Sequence, residues 1–308
     1  MAMIAFLFPG QGSQHAGMGK DLAANFPLAR QVFEEANDAL GIDLAALCFK
    51  GPEEDLKLTA NTQPAILTTS VAALRVLQNE TGIVPHYAAG HSLGEYSALV
   101  CAGALDFADA VRIVRQRGTF MQEAVPVGTG GMAAIIGLDT ATLDRVCKAA
   151  AQGQVVSPAN FNSTGQVVIA GHAEAVERAI ALAKENGAKR ALPLPVSAPF
   201  HCSLMVPAGE RLADVLAEVK VSDMTIPVVT NVEATPNRDA SRVCQLLVDQ
   251  VSAPVRWDES IGCMVKLGVD RYIEIGPGKV LAGLVKRMAK GSSIQNVQNV
   301  SDINTLNV

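Results

Sequence analysis

The stretch Gly90-His91-Ser92-Leu93-Gly94-Glu95-Tyr96 decides the fold predicted for the rest of the chain. It follows a short apolar run at 86–89 and precedes a segment, 97–102, that can be helical. Strand, tight turn and helix are the context of a G-x-S-x-G nucleophile elbow above the ends of parallel strands. The flanking glycines suit a turn where a Cβ would clash, and the N–H of Leu93 is left free at the helix start. The motif predicts a nucleophilic Ser92, although a strand–helix turn with a capping serine can match the same sequence pattern.

Composition limits the classes of protein to which the chain can belong. The 308 residues are 49% hydrophobic and 18% charged, which predicts a large core rather than disorder. The net charge of −5 and the lack of a basic run argue against a nucleic-acid partner. No apolar run approaches the roughly 20 residues of a membrane span, and the N-terminus lacks a signal peptide. We expect a soluble, cytoplasmic protein without a membrane partner.

The six cysteines lie at positions 48, 101, 147, 202, 244 and 263, and no two of them form a C-x-x-C pair. This pattern argues against a zinc site or a redox motif. Scattered cysteines in apolar segments are typical of buried thiols in a reducing cytosol. We therefore expect neither a metal nor a redox cofactor.

Strand and helix patterns alternate along most of the chain, which predicts an α/β fold with a parallel sheet. Residues 3–8 form a buried strand, and helical patterns follow at about 21–39 and 64–79. Strands are also predicted at 226–230 and 271–275, and the tail after Lys290 is expected to be only partly ordered. Residues 1–124 and 196–308 are assigned to this larger unit.

Residues 125–195 are predicted to form a separate, inserted subdomain. An apolar strand at 132–136 is followed by a helix at about 140–151 and by strands at 155–161 and 167–170. A helix at about 173–185 and a strand at 188–194 complete the series. The order β-α-β-β-α-β is that of the ferredoxin-like split motif.

Three further features are candidates for the site. The loop 10–14 holds two glycines and is either a mobile turn or a second source of backbone donors for an oxyanion. Arg117 lies on a helix with two other arginines, where a solvated helix face is the simpler explanation. A serine nucleophile needs a base, and His201 is the best placed of the five histidines, although it could be an ordinary loop histidine.

Taken together, these motifs resemble those of the bacterial malonyl-CoA:acyl carrier protein transacylases. The resemblance rests on residues 8–14, 90–96, 199–201, 250–257 and 274–278 with Arg117, in the right order over nearly the whole chain. It implies an α/β-hydrolase-like large subdomain with a ferredoxin-like insertion, and a monomer. It also implies transfer of a malonyl group from malonyl-CoA to the phosphopantetheine thiol of acyl carrier protein, in fatty-acid or polyketide synthesis.

The resemblance also implies a role for each site residue. Ser92 is the nucleophile, His201 its base, and the backbone carbonyl of Gln250 orients the imidazole in place of a carboxylate. The N–H groups of Gln11 and Leu93 form the oxyanion hole. Arg117 holds the malonyl carboxylate through two hydrogen bonds. The other pocket residues it implies are Gln63 and Asn160.

One residue departs from the close bacterial relatives, which often carry serine before the catalytic histidine. Phe200 at this position is similar to the malonyl-selecting domains of polyketide synthases, and a ring there would crowd a 2-methyl branch; alternatively it only packs. The pairs Lys189-Arg190 and Lys286-Arg287 are candidates for docking an acidic carrier protein, or are ordinary surface charges.

Two other functions remain open at this point. A serine hydrolase, such as a thioesterase, uses the same elbow and differs only in the acceptor. A degenerate, non-enzymatic relative would bind acyl-CoA or carrier protein without transfer. Arg117 and the missing third carboxylate favour transfer over hydrolysis, and the intact Ser92 and His201 argue against a degenerate relative.

Overall fold

Ten strands, fourteen α-helices and two short 3-10 helices, Ser203–Met205 and Ala240–Arg242, lie in the part of the chain that the computed structural model describes, residues 2–196 and 198–306. The strands are β1 (Ile4–Phe8), β2 (Tyr87–Gly90), β3 (Gly130–Ile136), β4 (Val156–Ser163), β5 (Gln166–His172), β6 (Arg190–Pro193), β7 (Val228–Val229), β8 (Pro236–Asn237), β9 (Arg271–Ile275) and β10 (Ser293–Val297). The helices are α1 (Lys20–Asn25), α2 (Pro27–Leu40), α3 (Leu44–Lys50), α4 (Glu53–Lys57), α5 (Thr59–Thr81), α6 (Gly94–Cys101), α7 (Phe107–Glu123), α8 (Thr140–Ala151), α9 (Ala173–Glu185), α10 (Val206–Ala217), α11 (Val243–Ser252), α12 (Trp257–Lys266), α13 (Val280–Met288) and α14 (Val300–Asn304).

The first sheet has the strand order β10-β9-β1-β2-β7-β8, and only its β7–β8 pair is antiparallel. The predicted parallel sheet is therefore confirmed, with one antiparallel strand at its edge. Along β1, Phe6 and Phe8 belong to the core on one face, while Ala5 and Leu7 belong to the core on the other. Because successive strand residues point to opposite faces, both faces are covered, which explains the continuous apolar run.

Strands β1 and β2 end at the same edge of this sheet, where Phe8 pairs with Gly90. The loop after β1 and the turn after β2 therefore start side by side at the carboxyl ends of parallel strands. This edge is where open α/β sheets bind their ligands.

The second sheet has the strand order β4-β5-β3-β6 and is antiparallel throughout. Ala133 and Ile135 of β3 share a core with α8 and α9 on one face. Their neighbours Met132 and Ala134 point to the opposite face and line a cavity between the two sheets. The elements follow the predicted order β-α-β-β-α-β, and both helices have the predicted bounds.

Three predictions about elements outside the second sheet are wrong. The helix predicted at 21–39 is two helices, because Pro27 forces the preceding Phe26 into an extended conformation. The strand predicted at 226–230 pairs only over Val228–Val229. The tail is ordered over residues 291–306: β10 pairs in parallel with β9, and Asn299 caps α14.

Helix α5 begins at Thr59, before the predicted start, so Pro64 lies inside it. Proline has no N–H, which leaves the carbonyl of Ala60 without its helical donor. The Arg115 guanidinium of α7 donates to this carbonyl at 2.9 Å. A partner from another helix therefore lets α5 continue through the proline.

The described residues include no helix with the length and apolarity that crossing a membrane requires. All six cysteines are unpaired thiols; Cys48, Cys147 and Cys202 are buried, and the other three are half-buried.

Candidate active site

Ser92 occupies the tight turn between β2 and α6, with a φ of 51° in the left-handed region. A Cβ on Gly90 would lie 1.9 Å from the carbonyl carbon of Gly94, and one on Gly94 would lie 2.1 Å from the Phe8 oxygen. The predicted need for glycine at both positions is therefore confirmed. The side chain of Asn231 holds the turn: it accepts from the Ser92 N–H at 2.7 Å and donates to the Gly90 carbonyl at 2.7 Å.

The structure brings His201 and Ser92 together, as the sequence predicts. Nε2 of His201 lies 2.7 Å from Oγ of Ser92. Nδ1 lies 2.9 Å from the carbonyl oxygen of Gln250 and 3.2 Å from that of Ala253. Because carbonyl oxygens only accept, Nδ1 carries the ring proton and donates it, which leaves Nε2 free to accept the serine proton.

The surroundings of His201 favour the neutral imidazole. The side chain is buried, and burial lowers its pKa to about 3, with the positive charge of Arg117 adding to the effect. An ordinary histidine titrates near 6.5, so at neutral pH this ring is in the form that a general base needs.

Arg117 is only 1% exposed, and its head group lies beside Ser92. Its NH2 group lies 3.2 Å from Ser92 Oγ and 2.9 Å from Oε1 of Gln250, while NH1 donates to Oε1 of Gln63 at 2.9 Å. Its Cζ stands 5.5 Å from the centre of the Tyr96 ring. Burial lowers the pKa of Arg117, but no carboxylate pairs with it directly in residues 2–196 and 198–306.

The backbone N–H groups of Gln11 and Leu93 are the candidates for an oxyanion site. Gln11 follows β1, and Leu93 follows Ser92 at the start of α6. Within the residues that the structure describes, neither N–H donates to another group, and both residues line the same cavity. They are therefore available to bind an oxygen near Ser92 Oγ.

The cavity above Ser92 has a volume of about 310 Å³ and lies between the two sheets. Asn160 of β4 and Phe200 line it, and both are buried. Besides Phe200, the apolar side chains along the cavity wall include Met121, Met132, Val168, Leu194, Leu281 and Leu284. A largely apolar lining of this kind offers water few hydrogen-bond partners beside the serine. The described residues contain no group of three His, Cys, Asp or Glu side chains placed to hold a metal ion.

Sequence reasoning missed a buried network behind Ser92. Glu95, 2% exposed, accepts at Oε2 from the Asn231 N–H at 3.0 Å and from Nε2 of Gln250 at 2.8 Å. Burial raises the pKa of Glu95 to about 7, while these two hydrogen bonds and the charge of Arg117 oppose the shift. A carboxylate inside the apolar α6 was the available signal, because such groups are rarely buried without partners.

His91 also lines the cavity. Its Nε2 lies 2.8 Å from Oδ1 of Asn162, and its ring contacts that of Trp257 at 5.6 Å between centres. Burial lowers the pKa of His91, so this ring is also neutral. Asn162 stands in β4 and had no sequence signal.

Comparison with known proteins identifies the family. A model of the acyl transferase domain matches residues 5–306. The malonyl CoA-acyl carrier protein transacylase of Salmonella typhimurium is 58% identical over 288 residues, which cover 94% of this chain and 93% of that protein. The chain belongs to the malonyl CoA-acyl carrier protein transacylase family.

Solved structures of the family share the whole fold. An acyl carrier protein S-malonyltransferase from Vibrio cholerae superposes with a TM-score of 0.97 at 52% identity, covering 99% of this chain and 100% of that chain. A structure of a type II PKS acyl-carrier protein in complex with its malonyl-transacylase, PlMCAT with AntF, contains a chain that is 53% identical and superposes with a TM-score of 0.96. This match covers 99% of the present chain and 98% of that chain. The α/β architecture described above is therefore that of the transacylase family.

Proposed function

We propose that this chain transfers a malonyl group from malonyl-CoA to the phosphopantetheine thiol of acyl carrier protein, for fatty-acid or polyketide synthesis. The observation that carries the proposal is the buried guanidinium of Arg117, 3.2 Å from the hydroxyl of Ser92 in one cavity. A cation at this distance from a nucleophile suits an acyl group that ends in a carboxylate. Membership of the transacylase family supports the same conclusion.

In the proposed mechanism, Ser92 attacks the thioester carbonyl while His201 takes the serine proton. The Nδ1–H donated to the Gln250 carbonyl keeps the imidazole in the required tautomer, which is the task a carboxylate performs in other triads. The N–H groups of Gln11 and Leu93 stabilise the oxyanion. CoA leaves as the thiol, carrying the proton from His201, and a malonyl ester remains on Ser92.

The second half-reaction reverses the first. The carrier's phosphopantetheine thiol attacks the malonyl ester, His201 receives the thiol proton and returns it to Ser92, and malonyl-carrier leaves. These steps use groups of this chain and its two substrates, so the proposal includes no cofactor. The ester must survive between the steps, and the largely apolar lining of the cavity disfavours water beside it.

Arg117 binds the malonyl carboxylate in two-pronged geometry. Gln63 holds NH1 of this guanidinium and lines the pocket together with Asn160 and Phe200. The ring of Phe200 crowds a 2-methyl branch and favours malonyl over methylmalonyl groups.

The proposal also covers the architecture and setting of the enzyme. Residues 1–124 and 196–308 form an α/β-hydrolase-like catalytic subdomain, and 125–195 form a ferredoxin-like subdomain, supported by the two separate sheets. The chain acts as a monomer in the cytoplasm, where six unpaired thiols are compatible with a reducing environment.

The deciding experiment is incubation with radiolabelled malonyl-CoA, followed by denaturation and measurement of protein-bound label. We expect a covalent adduct in the wild-type protein and in the control Ser97→Ala, which changes a buried serine of α6, but none in Ser92→Ala. Adding phosphopantetheinyl carrier protein should then move the label to the carrier. Release of free malonate at the same rate with and without carrier would indicate a hydrolase, and the absence of an adduct would indicate a binding protein.

A further inference from the structure

The side chain of Gln250 links three parts of the site in addition to the bond that its backbone makes with His201. Its Nε2 donates to the Ser92 carbonyl at 3.0 Å and to Oε2 of Glu95 at 2.8 Å, while its Oε1 accepts from NH2 of Arg117 at 2.9 Å. Gln250 is completely buried, so water does not compete for these contacts. The amide therefore lies between a buried carboxyl group and a buried guanidinium.

The orientation of this amide is fixed by the chemistry of its partners. The Ser92 carbonyl and Oε2 of Glu95 act only as acceptors here, and the Arg117 guanidinium is only a donor. A flipped amide would face acceptors with its oxygen and a donor with its NH2, and would lose all three contacts. Glu95 and the Ser92 carbonyl together thus determine which end of Gln250 meets Arg117.

This positioning does not depend on the charge of Glu95. Oε2 accepts from two donors, the Asn231 N–H at 3.0 Å and the Gln250 amide at 2.8 Å. A proton on the carboxyl group would therefore reside on Oε1, and Oε2 would accept in both protonation states. A glutamine at position 95 offers the same acceptor, whereas a methionine of similar length offers none.

We propose that Glu95 and the side chain of Gln250 form a positioning pair that holds the Arg117 guanidinium toward the acyl group on Ser92. The inference rests on the proposed function, because it names the residues that prepare this site for a carboxylate-bearing acyl group. Neither residue of the pair contacts the substrate; both act through Arg117.

The test compares Glu95→Met, Gln250→Met and the double variant, with Glu95→Gln as the conservative variant and Ser97→Ala as a control on the same helix. Two rates are measured for each protein: malonyl transfer as kcat/KM, and inactivation of Ser92 by a neutral organophosphonate, which has no carboxylate for Arg117 to bind. Gln250→Met keeps the backbone carbonyl that orients His201. Circular dichroism spectra establish that each variant is folded.

We expect each methionine variant to lower kcat/KM for malonyl transfer by about 10- to 100-fold, mostly through KM, because a misplaced guanidinium binds the carboxylate poorly. Inactivation by the phosphonate should fall by a clearly smaller factor than malonyl transfer does, since this probe has no carboxylate for the guanidinium to bind. The double variant should be no worse than either single variant, because the two side chains act as one unit. Glu95→Gln and Ser97→Ala should stay within about 3-fold of the wild type.

The possible failures are distinguishable. If the wild-type protein forms no malonyl adduct on Ser92, the proposed function is wrong and this inference falls with it. If the adduct forms but both rates fall in parallel, or the two losses multiply in the double variant, only the positioning pair is overturned. A Glu95→Gln variant as impaired as Glu95→Met would likewise overturn it, since charge rather than positioning would then be the role of Glu95.

Discussion

The imidazole of His201 lies between one hydroxyl and two carbonyl oxygens, and it shares its cavity with the buried guanidinium of Arg117. Burial, reinforced by that charge, lowers the pKa of His201 to about 3. The unfolded chain binds this proton near pH 6.5, so between these two values protonation favours unfolding. The contribution of His201 to stability is therefore complete above that window and is lost as the pH falls through it.

The same shift predicts the pH dependence of the nucleophile. We expect the rate of inactivation of Ser92 by a neutral organophosphonate to stay constant from about pH 5 to pH 8, because the base remains unprotonated. The measurement is a pH series on the wild type, with His201→Ala as the control that removes the base. A fall in rate centred near pH 6.5 that persists in Glu95→Gln would show that the imidazole titrates as an ordinary histidine.

Phe200 is 7% exposed and lines the cavity beside His201. We expect the protein to prefer malonyl-CoA over methylmalonyl-CoA by about 10- to 200-fold in kcat/KM, the range that one methyl group supports in an apolar pocket. Phe200→Ser should narrow this preference, since it removes the ring that crowds the branch. Equal rates for both CoA esters in the wild type would refute the selection by Phe200.

At the scale of elements, buried polar side chains fix the helices that line the cavity. Glu274 of β9 is 1% exposed, and its oxygens accept from the Leu281 N–H at 3.1 Å and the Ala282 N–H at 2.7 Å, both in the first turn of α13. It also accepts from the Asn296 side chain of β10 at 2.9 Å. One carboxyl group thus holds α13 and an edge strand against β9, although burial raises its pKa.

We predict that Glu274→Ala lowers the free energy of unfolding by about 2–3 kcal/mol, because it leaves two helix N–H groups and a buried amide without their acceptor. Urea denaturation measures the change. The control is Glu259→Ala, which removes a half-exposed carboxylate that pairs with Arg256 and should cost at most about 1 kcal/mol. Similar losses in the two variants would mean that Glu274 does not anchor α13.

At the scale of the whole molecule, the site lies where the two sheets face each other. The first sheet supplies the loop after β1 and the elbow after β2, while β3, β4 and β5 of the second sheet supply the opposite wall. The two basic pairs lie on different parts of this arrangement. Lys189 and Arg190 are exposed at β6, whereas Arg287 donates to the cavity-lining Gln166 at 2.9 Å.

Because the chain has a net charge of −5, its overall charge does not attract an acidic carrier protein. Docking of such a carrier would therefore depend on local positive charge, which these pairs supply. We expect Lys189→Glu with Arg190→Glu to raise the apparent KM for carrier protein by roughly 5- to 10-fold and to leave the rate of malonyl-Ser92 formation unchanged. Lys286→Glu with Arg287→Glu should act in the same direction. The control is Lys148→Glu, which reverses an exposed charge on α8. If a double variant has the same KM for carrier protein as this control, the tested pair is not part of the docking surface.

The sequence by itself determined the elbow, the alternating architecture and the pairing of Ser92 with His201, while only the resemblance to the family predicted that Arg117 belongs to the site. These features are carried by local patterns, such as two glycines at fixed spacing, apolar runs and motifs in order. Local patterns also placed α8 and α9 at their observed bounds. The tail was the exception, because the pairing of β10 with β9 depends on a partner strand rather than on its own polar composition.

Only the tertiary structure decided how the polar groups behind Ser92 are connected. Glu95 and Gln250 are 155 positions apart, and Arg117 and Gln250 are 133 apart, yet each pair is within hydrogen-bonding distance. Likewise, the continuation of α5 through Pro64 depends on Arg115 from another helix. A hydrogen bond between distant residues leaves no periodic signal in the chain, because the folding of the two sheets, and not sequence spacing, brings its donor to its acceptor.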